Sequence, residues 1–264
     1  MDDFTGNVGN GGAGLTPDDA DDARARVAQA MTLRDRLADV GRFVLRPSYV
    51  AQPMAWGRAA ALALLAVFAL DLLVDALVSE LSLAWDDQAD FLPLPLEVEM
   101  TLAENLFEFL VFAPIMEELA FRGWLTGRTA ALRFGAYGIA AMGLLTVSAF
   151  AVEQYANSMA LAAIAIAFAG LIHWLATRDR DTAVPTWFAR HFHWFVWGST
   201  LLFGLIHLGN YEPLAHPLGL LVVLPQTIGG LLLAYTRTRL GLRAAVAHHA
   251  AYNAIFLASD YGWW

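Results

Sequence analysis

Three short stretches of this sequence place polar residues at spacings that support hydrolysis, each inside an otherwise apolar run. The first is MEELAFRGWL at residues 116–125. Glu118 and Arg122 are four apart, so on a helix they share a face, with the acid N-terminal to the base, which favours an intrahelical ion pair. Glu117 sits about 100° around the helix from Glu118, where Arg122 is poorly placed to reach it. One carboxylate is then neutralised and the other stays free to take a proton. Taken alone, this cluster also reads as a structural ion-pair knot between helices. The second stretch is LLFGLIHLGN at 201–210, where His207 follows Phe203 by four residues on the same face. Taken alone, a buried histidine is more often a satisfied core residue than a catalytic one. The third is AHHAAYNAIF at 247–256, in which His249 and Asn253 point one way and His248 points elsewhere. Alone, that pair reads as polar glue between membrane helices.

Together the three describe one reaction. Glu117 is suited to act as general base on a water, and His207 to fix that water. His249 and Asn253 are suited to stabilise the oxyanion formed at a carbonyl, where losing one donor typically costs about 3–4 kcal/mol. Charged groups at mid-bilayer each cost about 2.5–3.5 kcal/mol on insertion scales. Their presence on three apolar segments therefore predicts a polar cavity inside the membrane, the place where such groups are tolerated.

The elements that must position these groups follow from composition. Of 264 residues, 58% are hydrophobic and 16% charged, and the mean hydropathy is +0.50. Soluble domains carry about 25% charged residues. Apolar runs of about 20 residues are long enough to cross the bilayer. The reading is an all-α, polytopic transmembrane helical bundle of about seven spans, near 56–80, 104–130, 136–155, 157–176, 194–210, 217–236 and 243–260. Residues 1–22, rich in Gly, Asp and Asn, read as a disordered acidic tail. Residues 23–55 read as a cytoplasmic juxtamembrane segment, with amphipathic spacing that suits a helix on the membrane surface or a solvated helix. Residues 56–262 form the transmembrane domain. Arginines gather before the first span and after the second, fourth and sixth, while the loop at 81–103 is acidic. That asymmetry predicts a cytoplasmic N-terminus and an external C-terminus, with YGWW at the outer interface. Asp71 and Asp75 read as interfacial residues of the first span, and His173 as structural. With no cysteine in the chain, disulfide and thiolate chemistry are excluded. No basic stripe suits a nucleic acid.

At these residues the sequence resembles the CPBP family of intramembrane proteases, which includes the CAAX prenyl proteases and the Abi proteins. The family motifs E-E-x-x-x-R, F-x-x-x-H and H-x-x-x-N stand here as EELAFR at 117–122, FGLIH at 203–207 and HAAYN at 249–253. The resemblance covers roughly residues 104–257. It implies a helical intramembrane endopeptidase with Glu117 as base, His207 as the water-binding partner and His249 with Asn253 as the oxyanion group. Glu118, Arg122 and Phe203 are supporting residues. Many members are described as metalloproteases, and Glu117, His207 and His249 are able to supply the protein ligands of an open zinc site. The H-E-x-x-H pattern is absent, and the preferred mechanism requires no cofactor. The expected partners are the lipid bilayer and a membrane-associated peptide or protein substrate.

The composition, all-arginine and alanine-rich, predicts a bacterial cytoplasmic-membrane protein. A prenylated substrate is then not expected, and a bacteriocin-type or signalling peptide is. Two other readings compete. A non-catalytic immunity or scaffold protein of the same fold would not need Glu117, and a proton-coupled transporter commonly has two related halves, for which the sequence shows no internal repeat.

Overall fold

The computed structural model describes residues 32–89, 91–97, 99–149 and 152–262. The acidic segment at 1–22, the beginning of the segment at 23–55, and the closing Trp263 and Trp264 lie outside the described residues. Those described residues build a helical bundle, with one isolated bridge, between Pro95 and Tyr211, as their nearest approach to a sheet.

Helix α1 (Leu33–Leu45) starts at a reciprocal cap. The Asp35 amide donates to the Thr32 hydroxyl oxygen at 3.3 Å, and the Thr32 amide donates to the Asp35 carboxylate at 3.1 Å, satisfying two amides that the helix cannot. The Thr32 hydroxyl also donates to Asp35, and these bonds hold that carboxyl below its ordinary value. The sequence suggests an amphipathic helix on the membrane surface or in solvent. In the structure its inner face is spent on the protein: Val40 and Phe43 are core residues. Asp39 pairs with Arg239 at 3.0 Å, while Leu33, Leu37 and Leu45 remain exposed.

Among the described residues eight further helices follow, and all but the shortest, Thr186–Arg190, overlap the runs expected as spans. Helix α2 (Arg58–Ala89) comes first, followed by α3 at residues 102–126. Helices α4 (Thr129–Ala149) and α5 (Glu153–Thr177) form a hairpin packed along its length. The short α6 (Thr186–Arg190) leads into α7 (Phe192–Ile206). Two 3-10 turns, His207–Asn210 and Pro217–Val223, precede α8 (Leu224–Leu240) and α9 (Leu242–Asp260). By length and composition alone, Arg58–Asp86, Gln154–Thr177 and Pro217–Leu240 can cross a membrane. The third span begins seven residues before its expected start, at Thr129 instead of 136. Its first turn is pinned by tertiary contacts that hydropathy does not register: the Thr129 amide donates to the Ala183 carbonyl at 2.9 Å, and Arg133 pairs with Asp181.

Helix α8 is the central column. Every residue from Gly230 to Thr238 is buried, as befits a helix surrounded on all sides by α1, α2, α7 and α9. It stops at Gly241, whose φ of 96° lies where residues with a Cβ are strained. The reversal there lays α9 back along α8. Around the column an aromatic cluster builds the core: Phe188, fully buried, stacks on Phe195 at 4.9 Å and meets Phe192 edge-on at 5.7 Å.

Candidate active site

Helix α3 is not a regular α-helix, and its irregularity shapes the site. Two wide π turns, Glu108–Phe112 and Glu118–Arg122, interrupt it. Such turns are rare and gather at functional sites. The first has a local cause. The Ala113 amide donates to Glu108, one residue farther back than in an α-helix, so it no longer serves Phe109. The next amide in line would be that of residue 114, which is a proline and has none. The Phe109 carbonyl is thus left without a helical donor, and the Asn253 side-chain amide of α9 donates to it at 2.8 Å.

The second π turn is tied down in the same way. The Ser199 hydroxyl of α7 donates to the Phe121 carbonyl at 2.6 Å, and Arg237 Nε of α8 donates to the Arg122 carbonyl at 3.0 Å. Sequence reasoning missed Ser199 and Arg237. Pro114 signals freed carbonyls only upstream of itself, so nothing in the sequence marked the Phe121 and Arg122 carbonyls that these two residues serve.

Within this second turn Arg122 Nη1 donates to Glu118 Oε1 at 2.6 Å, with both side chains essentially removed from solvent. Arg122 also donates through Nη2 to the Gly230 carbonyl at 3.2 Å. Its guanidinium carbon lies 3.9 Å from the centre of the Phe203 ring, an arrangement in which the ring's electrons stabilise a desolvated cation. Gly230 permits this approach, since a Cβ there would come within 2.8 Å of Phe203 and 3.0 Å of Arg122. Gly230→Ala is expected to lower stability by about 1–3 kcal/mol through overpacking and to shift the midpoint of chemical unfolding in detergent. An unchanged midpoint would show that the Arg122 pocket is slack.

His249 joins the pieces. Its Nδ1 is 3.1 Å from Glu118 Oε1, the oxygen that accepts from Arg122. Glu118 is ionised against Arg122 and can only accept, so this nitrogen carries the proton. The other ring nitrogen, Nε2, lies 3.8 Å from Glu117 Oε2. Glu117 is a quarter exposed, and its Oε2 is buried without a hydrogen-bond partner. Phe203 stands between the two histidines, with its ring 6.0 Å from that of His249 and 4.6 Å from that of His207. His207 Nδ1 donates to the Phe203 carbonyl at 2.7 Å. A carbonyl fixes that tautomer, leaving the Nε2 of a neutral ring as an acceptor. His207 is within electrostatic range of Glu117, His249 and Arg122.

The structure therefore brings Glu117, Glu118, Arg122, Phe203, His207 and His249 into one cluster. Asn253 lies one turn farther along α9, holding α3. Among the described residues no group of three or more His, Asp or Glu side chains is gathered closely enough to hold a metal ion.

Two expectations need different accounts. Asp71 and Asp75 are buried, not interfacial, at 2% and 8% exposure. Asp71 Oδ2 lies 3.1 Å from Nε2 of the buried His248, whose Nδ1 is 3.1 Å from the Thr236 hydroxyl. Asp75 accepts from the Tyr252 hydroxyl at 2.7 Å. Two residues of α9, His248 and Tyr252, thus partner the acids of α2, contacts that local spacing cannot reveal. His173 sits beside Tyr137, with Nδ1 3.3 Å from the hydroxyl, in the α4–α5 hairpin.

The family description "type II CAAX prenyl endopeptidase Rce1-like" matches residues 100–188 and 180–255. No curated protein matches the chain, and no solved structure does.

Proposed function

Because the chain belongs to the Rce1-like family of type II CAAX prenyl endopeptidases, and so is an integral membrane protein of a protease family, we propose that it hydrolyses a peptide bond at the membrane with water activated by Glu117. The observation that carries this reading is the division of labour between adjacent carboxylates. Glu118 is sealed from solvent and its Oε1 accepts from both Arg122 and His249, whereas Glu117 has no ion pair with Arg122 and is a quarter exposed, open to a water.

The steps follow from the side chains. Glu117 removes a proton from water, while the free Nε2 of His207 accepts the water's other hydrogen as a hydrogen bond. The water oxygen bonds to the carbonyl carbon, and the carbonyl electron pair moves to its oxygen. His249 has committed Nδ1–H to Glu118, so its donor to that oxyanion is Nε2–H, available when the ring carries both protons between the two carboxylates. The second amide hydrogen of Asn253 is the further donor. Collapse re-forms the carbonyl, breaks the C–N bond and passes the proton from Glu117 to the leaving amine. The substrate class is a membrane-associated peptide or protein segment, able to reach a site enclosed by helices. No step is routed through a metal.

The test is cleavage of membrane-tethered and lipidated peptides by the purified protein in nanodiscs, wild type beside Glu117→Ala, each with and without a chelator. Cleavage that disappears in the variant and persists in chelator is expected. Loss in chelator with recovery on adding zinc would overturn the metal-free step. Equal cleavage by both proteins would remove Glu117 from the mechanism.

A further inference from the structure

A cavity of about 410 Å³ lies beside the cluster, bounded by α2, α8 and α9, and lined in part by Asp75, Tyr211, Gln226, Tyr252, Asn253 and Asp260. It shares Asn253 with the proposed site, yet Asp75 comes from α2, outside the residues matched by the family. Its charged lining residues are the two acids. Asp75 is nine-tenths buried and forms no ion pair among the described residues. Its bond to Tyr252 is a neutral one. Asp71, one turn away, by contrast has His248 at 3.1 Å. Gln226 adds Oε1, a buried acceptor without a partner. Pairing and hydrogen bonding stabilise a buried carboxylate, so a cavity with surplus acceptors and no basic side chain in its lining suits a ligand that brings donors and positive charge.

Resting on the proposed peptidase activity, we propose that this cavity is a specificity subsite for a cationic side chain of the substrate, with Asp75 as its counter-ion. Asn253 lines the cavity and belongs to the proposed site, so the cationic residue would lie close to the scissile bond. Guanidinium suits the site, because its several N–H donors can serve Asp75 and Gln226 together.

The experiment compares two fluorescent, acyl-anchored peptides, identical except for arginine or citrulline, which has arginine's shape without its charge. Their binding is measured by anisotropy to Glu117→Ala protein in nanodiscs, with and without Asp75→Asn. The arginine peptide is expected to bind about tenfold more tightly, as one charge-assisted hydrogen bond allows. Asp75→Asn is expected to erase that difference and leave citrulline binding in place, which also shows that the variant is folded. Equal affinities in the Asp75 protein, a preference that survives Asp75→Asn, or no binding of either peptide would each overturn the subsite. Cleavage of the same peptides by protein retaining Glu117 reports on the peptidase reading separately. A charge preference without cleavage would sink that reading and keep the cation site, and cleavage indifferent to charge would do the reverse.

Discussion

Glu117→Gln is expected to lower kcat for peptide cleavage by about 10²–10⁴-fold, the range that a positioned general base contributes. Glutamine keeps the shape of the side chain but cannot take a proton from water. The folded state should tolerate the change, because Glu117 Oε2 makes no hydrogen bond that would be lost. KM is expected to move little, since the side chain is aimed at a water and not at the peptide. Adding His207→Ala to Glu117→Gln should cost little beyond the single change, because both groups prepare one water and residues acting as a unit are not additive. Rates of purified wild type, both single variants and the double variant decide the matter. A Glu117→Gln enzyme with wild-type kcat, or two losses that multiply, would show that the water is activated elsewhere.

Arg122→Met carries the largest expected effect on stability. It leaves Glu118, at 0% exposure, as a buried carboxylate whose remaining partner is His249. Removing one member of a buried pair typically costs about 3–5 kcal/mol, while replacing both members with apolar groups is often neutral or stabilising. Glu118→Met combined with Arg122→Met should therefore be more stable than Arg122→Met alone. It should nonetheless be inactive, because His249 Nδ1 loses the acceptor that orients its ring toward Glu117. Chemical unfolding in detergent, followed for wild type, single and double variants, provides the comparison. A single variant as stable as wild type would show that the ion pair is dispensable. An active double variant would show that Glu118 has no part in placing His249.

The motif spacings made much of the cluster legible. Glu118 and Arg122 are four apart and form their pair within one turn, a contact that depends on little beyond the helix itself. The helical class and the family were legible for similar reasons. Apolar runs long enough to cross a bilayer leave the backbone few alternatives to helix, and the three motifs occur within the family-matched residues. Asp71 was harder to read. Its neighbours on α2 describe an acid near the end of an apolar helix, and nothing in that helix announces His248, which is 177 residues away in the chain. The same holds for Asp75 and Tyr252. Span boundaries shifted for a related reason, since the bonds from Thr129 to Ala183 and from Arg133 to Asp181 hold a helix start that hydropathy places later.

By itself, then, the sequence determined the helical membrane class and which polar residues share a helix face, which follow from composition, periodicity and contacts within one turn, while the three motifs carried the family. Only the tertiary structure decided what those faces meet. It set His249 against both glutamates and buried the acids of α2 against α8 and α9. It also turned α3 into a helix with two π turns, whose freed carbonyls are satisfied by Asn253, Ser199 and Arg237. A buried polar group must find its partner wherever the fold brings one, and in this chain most of those partners lie on other helices, more than seventy residues away.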